Sequence, residues 1–362
     1  MAETNKYVYP HPIVDLKEEN SLNILTERYN KMMEPGKIAK IGARIVDALP
    51  DQLKVVGKDI KGAITAQELY VKALEVIGDG FNTVQELAAK YTISESAIIS
   101  KINQITADNE ISSISEICLA RSYDIAKLVS KQKDQNKLAA LVEGGTTGAF
   151  GFAGLPFNLV LSTLMYYRAV QSIALFYGYD CKNDASELMI ASNVFISAFS
   201  PEQNDLNEIT AVIGKIMMYA EGAAIRQAAQ KGWAEVAARG GAGLLLAQMR
   251  ALAHKSAQKA LQKAGQKGLE KSVFKSIFEQ IGKKLSLSVI GKSVYVAGAI
   301  VGALFDTAQM KKVLEYADVF YNKRFVMEKE MRINELLGNV DDSIIDTVVV
   351  DTKKDICSEE KV

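Results

Sequence analysis

The chain has 362 residues, 48% of them hydrophobic and 24% charged, with 43 basic side chains balanced by 43 acidic ones. That apolar content suffices for a packed core and excludes whole-chain disorder, while the zero net charge excludes a global field for nucleic acid or any other polyanion. At roughly 150 residues per domain, the length predicts about two domains or one extended helical one.

Six prolines against 25 glycines, with many Ala, Leu, Ile, Lys and Glu, predict an all-α fold: a multi-helix bundle whose central helices approach closely at glycines. Cys118, Cys181 and Cys357 are too widely spaced for a disulfide framework or a metal knuckle, which indicates a reducing compartment. The first residues carry no apolar run behind a basic start, so no secretory signal is expected. The expected location is cytoplasmic, peripheral on the inner face of the membrane.

Charge falls in blocks. Residues 1–221 carry 21 basic and 27 acidic side chains, residues 222–292 carry 13 and 3, and residues 293–362 carry 9 and 13. A strongly basic middle is therefore hidden in the neutral total.

In chain order, residues 1–17 read as an N-terminal extension and 18–142 as an N-terminal helical region. Ile38, Ile41, Ile45 and Leu49 share one helical face, which Pro50 closes. Between Gly80 and Ile105 two short helices are expected, parted near Tyr91 to Ser94, with Thr83 and Glu86 as a capping box. The outline is that of a helix-turn-helix, but from Thr83 to Lys101 its only bases are Lys90 and Lys101. That is poor for phosphate contact, so a helical hairpin is predicted and nucleic acid is not expected as a partner.

Residues 143–338 form the expected core. Its first part, residues 144–167, is 24 residues without a charge, long enough for a membrane span. Gly144, Gly148, Gly151, Gly154 and Pro156 interrupt it, so the expectation is a helix from about Pro156 to Tyr177, closed by Gly178. Arg168 is the only charge between Glu143 and Asp180. It is expected to be largely buried and paired, with Asp180 or Glu221 as internal candidates or with a bound anion.

The basic segment 222–292 lies within this core. Lys255, Lys259, Lys263, Lys267, Lys271 and Lys275 recur every fourth residue. Each such step drifts about 40° on an α-helix, so the ammonium groups sweep roughly 200° and make a broad cationic surface. Leu261, Leu269, Val273, Phe274, Ile277, Phe278 and Ile281 punctuate it. The pattern suits contact of these lysines with an anionic membrane surface, lipid or partner, with Phe274 and Phe278 or the glycine-rich segment as the inserting element. The alternative is a solvated face. Gly298 and Gly302 form a GxxxG step, expected to pack on the Pro156 helix. The tail, residues 339–362, is acidic and reads as a loosely attached extension.

Catalytic chemistry finds little purchase. The only histidines are His11 and His254, so no HExxH helix or Cys2His2 site can form. None of the Gly-Lys pairs completes a P-loop, no serine sits in a GxSxG elbow, and no strand precedes the glycines from Gly144 to Gly154. No catalytic residue, metal or cofactor is assigned, and the chain is not expected to be an enzyme.

The string from Gly144 to Asp180, GGTTGAFGFAGLPFNLVLSTLMYYRAVQSIALFYGYD, resembles the signature of the EcsC protein family. The matching positions are Gly154, Leu155 and Pro156, then Arg168, Ile173 and Ala174, and finally Tyr177, Gly178, Tyr179 and Asp180. Gly291 to Asp306 and Ala317 to Phe325 (ADVFYNKRF) are similar to the family's closing glycine-rich helix and basic-aromatic end, with Asp306 where members tend to carry Asn. The resemblance covers roughly residues 40 to 330. It implies a mostly helical protein without established enzymatic activity, and a membrane accessory role, because the family takes its name from an operon with an ABC transporter. A transporter complex is thus a candidate partner, and membrane-perturbing effector action a candidate role. The alternative is a soluble helical module that binds a lipid-like ligand in a glycine-lined apolar core.

Overall fold

The computed structural model describes residues 7–33, 66–89, 92–106, 108–134, 155–199, 262, 265, 268–281 and 307–338. Ile38 to Leu49, Gly154, Lys255, Lys259, Lys263, Lys267, Gly298, Gly302 and the acidic tail lie outside these residues, as does the expected packing of the GxxxG helix. All regular structure among the described residues is helical, as the composition predicted. The elements are α1 (Leu16–Met33), α2 (Ala66–Asp79), α3 (Phe81–Ala89), α4 (Glu95–Asn103), a 3-10 turn (Ser115–Leu119), α5 (Ser122–Asp134), α6 (Leu155–Phe176), α7 (Ala185–Phe199), α8 (268–281) and α9 (Thr307–Leu336).

Local chemistry fixes the ends of these helices. Asp15 caps α1, accepting from the Glu18 amide at 2.8 Å, while the Glu18 carboxylate reaches back to the Asp15 amide at 3.3 Å. Ser94 caps α4 by accepting from the Ala97 amide at 3.2 Å. The expected break between α3 and α4 is present, but α3 starts at Phe81 and places Thr83 inside the helix, so Thr83 is not its cap. Pro156 stands in the first turn of α6, where its missing N–H costs nothing. At the other end Gly178 N donates to Leu175 O at 2.9 Å and Tyr179 N to Ala174 O at 3.0 Å, with Gly178 at φ +81°. That is a Schellman closure, and the left-handed turn at Gly178 was the expected one.

Helices α6 and α9 pack together at the centre. Around α6 lie α2, α3, α4, α5 and α7; around α9 lie α1, α5, α7 and the 3-10 turn. Leu159, Val160, Leu164, Tyr166, Tyr167, Val170, Ala174 and Phe176 are buried on every side of α6. This explains its lack of amphipathic patterning. By length and composition Pro156–Phe176 could cross a membrane, yet 89% of its apolar window is buried inside the molecule. Helices from both the 18–142 region and the 143–338 region contribute to one hydrophobic cluster.

Candidate functional site

Helix α9 has apolar and charged residues on all faces and is buried nonetheless. Its Asp318, Lys323, Arg324, Glu328, Lys329 and Arg332 are each at most 5% exposed. Charges taken out of water must be paired and hydrogen-bonded, and here their partners come from several neighbouring segments as well as from α9 itself.

Arg324 makes a bidentate pair with Glu187 of α7, at 2.7 and 2.8 Å, and donates from Nε to Glu328 Oε1 at 2.9 Å. Its guanidinium lies over the Tyr179 ring, 3.9 Å from the centroid. Tyr179 donates its hydroxyl to Glu328 Oε2 at 3.0 Å. Burial pulls the Arg324 pKa down, but Glu187 and Glu328 outweigh it and hold the guanidinium well above its ordinary value. Burial, helped by Glu328, pushes the Tyr179 phenol far up, so it stays a neutral donor.

Arg332 donates to Tyr177 O at 3.0 Å and Gly178 O at 2.8 Å, putting a cation on the C-terminal carbonyls of α6. Lys329 donates to Glu18 Oε1 at 2.7 Å, and the same carboxylate accepts from Arg121 at 3.0 Å and from the Ser122 amide at 2.9 Å. One buried glutamate thus joins α1, α5 and α9. Burial lowers the Lys329 pKa, and Glu18 restores part of it. Asp318 accepts from the Tyr177 hydroxyl at 2.8 Å and from Lys133 at 2.7 Å, while Arg28 pairs with Glu315 beside it.

The two strings that carry the family resemblance therefore meet in space. Tyr177, Gly178 and Tyr179 of the first touch Asp318 and Arg324 of the second, and Arg332 just beyond it. Asp180 turns away from this array and organises the loop to α7, accepting from the Lys182 and Asn183 amides at 3.0 and 2.9 Å. The backbone of Leu155 opens α6, and Pro156 is buried.

Arg168 is largely buried and paired with a carboxylate, as expected, but its partner corrects the expectation: the side chain, 22% exposed, is ion-paired with Glu270, at the start of α8, and not with Asp180. Glu221 lies outside the described residues. Gln85 of α3 donates to the other Glu270 oxygen at 2.6 Å, so this carboxylate fastens α8 to α3 and α6.

Helix α8 is the described part of the basic segment, and it corrects a second expectation. Phe274, Ile277, Phe278 and Ile281 are buried. Phe274 stacks on Phe81 at 5.3 Å and Phe278 on Tyr70 at 5.8 Å, so neither phenylalanine is presented for insertion. Of its two lysines, Lys271 donates to Gly78 O near the C-terminus of α2, whereas Lys275 is exposed beside Ser272 and Ser276.

Burial raises the thiol pKa values of Cys118 and Cys181, which leaves both as protonated core residues. Among the described residues no group of three or more His, Cys, Asp or Glu side chains is placed to hold a metal.

Sequence reading named Arg324 only within a string and missed Glu18, Glu187, Glu328, Lys329 and Arg332. One signal was available: Arg324, Glu328 and Arg332 recur every fourth residue, which places like-spaced charges on one face of a helix.

The described residues thus form an all-α bundle around two long, largely buried helices, with the C-terminal end of α6 locked to α9 by the charge array. The chain matches the EcsC protein family over residues 71–326. It belongs to that family. No curated protein and no solved structure matches the chain.

Proposed function

We propose that this protein is a non-enzymatic accessory protein that docks on the anionic inner face of a membrane through the lysines of its 222–292 segment while its helical core stays closed. The observation that carries the reading is the division of labour on α8: its apolar side is spent inside the protein, and Lys275 with Ser272 and Ser276 faces outward. Docking is then electrostatic and superficial, supported by 13 basic against 3 acidic residues in the segment. Lys255, Lys259, Lys263 and Lys267 continue the every-fourth-residue lysine pattern in the sequence of the same segment. The family's operon association makes a transporter complex the candidate neighbour at the membrane.

Vesicle flotation of the full chain tests the reading. Binding to anionic vesicles should exceed binding to neutral ones and fall as salt rises from ~0.1 to ~0.5 M, since the Debye length shrinks from about 10 Å to a few Å. Changing Lys255, Lys259, Lys263, Lys267 and Lys275 to Gln should abolish it with the fold intact. Equal partition into both vesicle types, or no loss in the Gln variant, would show a merely solvated face.

A further inference from the structure

A small cleft, open to solvent, lies where α3, α5, α6 and α9 meet, with a cavity volume of about 30 Å³. Two cations from different helices line it, Lys133 of α5 and Arg168 of α6, together with Gln132 and the apolar Ile173 and Phe176. The carboxylates that neutralise those cations, Asp318 and Glu315 for Lys133 and Glu270 for Arg168, are not among the lining residues.

Donor arithmetic leaves unused hydrogens on these groups. Arg168 is ion-paired with Glu270 through Nη2 and donates from Nη1 to Gln171 at 3.3 Å, but its buried Nε–H has no acceptor among the described residues. Lys133 uses two of three N–H bonds, on Asp318 at 2.7 Å and Glu315 at 3.3 Å. Gln132 accepts from Lys101 at 2.8 Å through its oxygen, and none of the described residues accepts from its amide nitrogen. Lys101 pairs with no described carboxylate, and its ammonium lies 6.0 Å from the centroid of Phe176 at the cleft. Ser172 contributes no donor, because its hydroxyl is given to Arg168 O at 2.9 Å. A buried donor without an acceptor is costly, and an Arg edge beside a Lys suits a tetrahedral oxyanion.

We propose that this cleft is a binding site for a phosphate group, held by Arg168, Lys133 and Gln132, with Ile173 and Phe176 against the carbon skeleton when the phosphate is esterified. Arg168 exchanges or shares its Glu270 contact for the ligand. The site is separate from the lysine surface of 222–292, so it stands or falls independently of membrane docking.

The test is isothermal titration of the full chain with two probes, inorganic phosphate and dihexanoyl phosphatidic acid below its micelle concentration. The expected result is saturable binding of at least one probe, weakened about tenfold or more in Arg168→Gln and severalfold in Gln132→Met, and unchanged in Lys275→Gln. Binding of phosphatidic acid alone identifies a lipid headgroup as the source, whereas equal binding of both identifies free phosphate. Gln132 is half-buried and outside the charge array, so Gln132→Met decides the matter if Arg168→Gln does not fold. Absence of binding by both probes at millimolar concentration, or wild-type affinity in the folded variants, overturns the proposal.

Discussion

At Gly178 a methyl group would sit 2.3 Å from Arg332 Nη2 and 3.0 Å from Ile114 O, on a residue already at φ +81°. Gly178→Ala should therefore cost about 1 to 3 kcal/mol from strain alone, measured by denaturant unfolding, with more if Arg332 is driven off the α6 carbonyls. Arg324 sets the upper end of the scale. It is fully buried, and its truncation leaves two buried carboxylates uncompensated. Arg324→Ala should cost about 3 to 5 kcal/mol, against less than about 0.5 kcal/mol for Lys275→Gln on the surface. An Arg324→Ala protein of near wild-type stability would remove the array from the account of the fold.

Glu116 carries a pH-dependent share. Burial raises its pKa, but the Ser112 amide and hydroxyl, the Tyr7 hydroxyl and the Ser113 amide outweigh that and bring it below the usual 4.5. A carboxylate whose pKa is lowered on folding contributes stability that is present above its unfolded value and lost as pH falls through the folded one. Stability should thus decline below about pH 4.5, and Glu116→Gln should flatten part of that decline while costing about 1 to 3 kcal/mol at neutral pH. An acid limb of unchanged slope in the variant would assign the loss to other carboxylates.

At the scale of the elements, α6 and α8 show what the sequence could and could not tell. The ends of α6 were legible because Pro156 and Gly178 act through their own backbone preferences, whatever packs around them. The partner of Arg168 was not legible, since Glu270 is remote in sequence and nothing local points to it. For α8, the interleaving of lysine and phenylalanine was visible but its direction was ambiguous: an amphipathic helix looks alike whether its apolar side meets a bilayer or Tyr70 and Phe81. Phe274→Ala should cost about 3 to 5 kcal/mol as a core deletion, read by thermal or chemical unfolding. A surface-like effect below about 0.5 kcal/mol would mean that this ring is free, as insertion requires.

Across the whole molecule, composition alone made the helical class legible, and the block of basic charge made its middle stand out. The charge array was hidden because a helix bearing charges on all faces has the same pattern whether it is solvated or, like α9, buried with its partners. Those partners come from α1, α5, α6 and α7, so only the assembled fold reveals them. The array also bears on function: opening the core would separate these pairs and leave buried charges uncompensated, at about 3 to 5 kcal/mol for each broken pair, which is why docking is assigned to the outer lysines. Hydrogen exchange of the full chain, alone and bound to anionic vesicles, tests this most directly. The account predicts that the amides of 155–176 and 268–281 keep their protection when the protein floats with the vesicles. Loss of protection across Phe274 to Phe278 or across α6 on binding would contradict it, because the core would then have opened to insert.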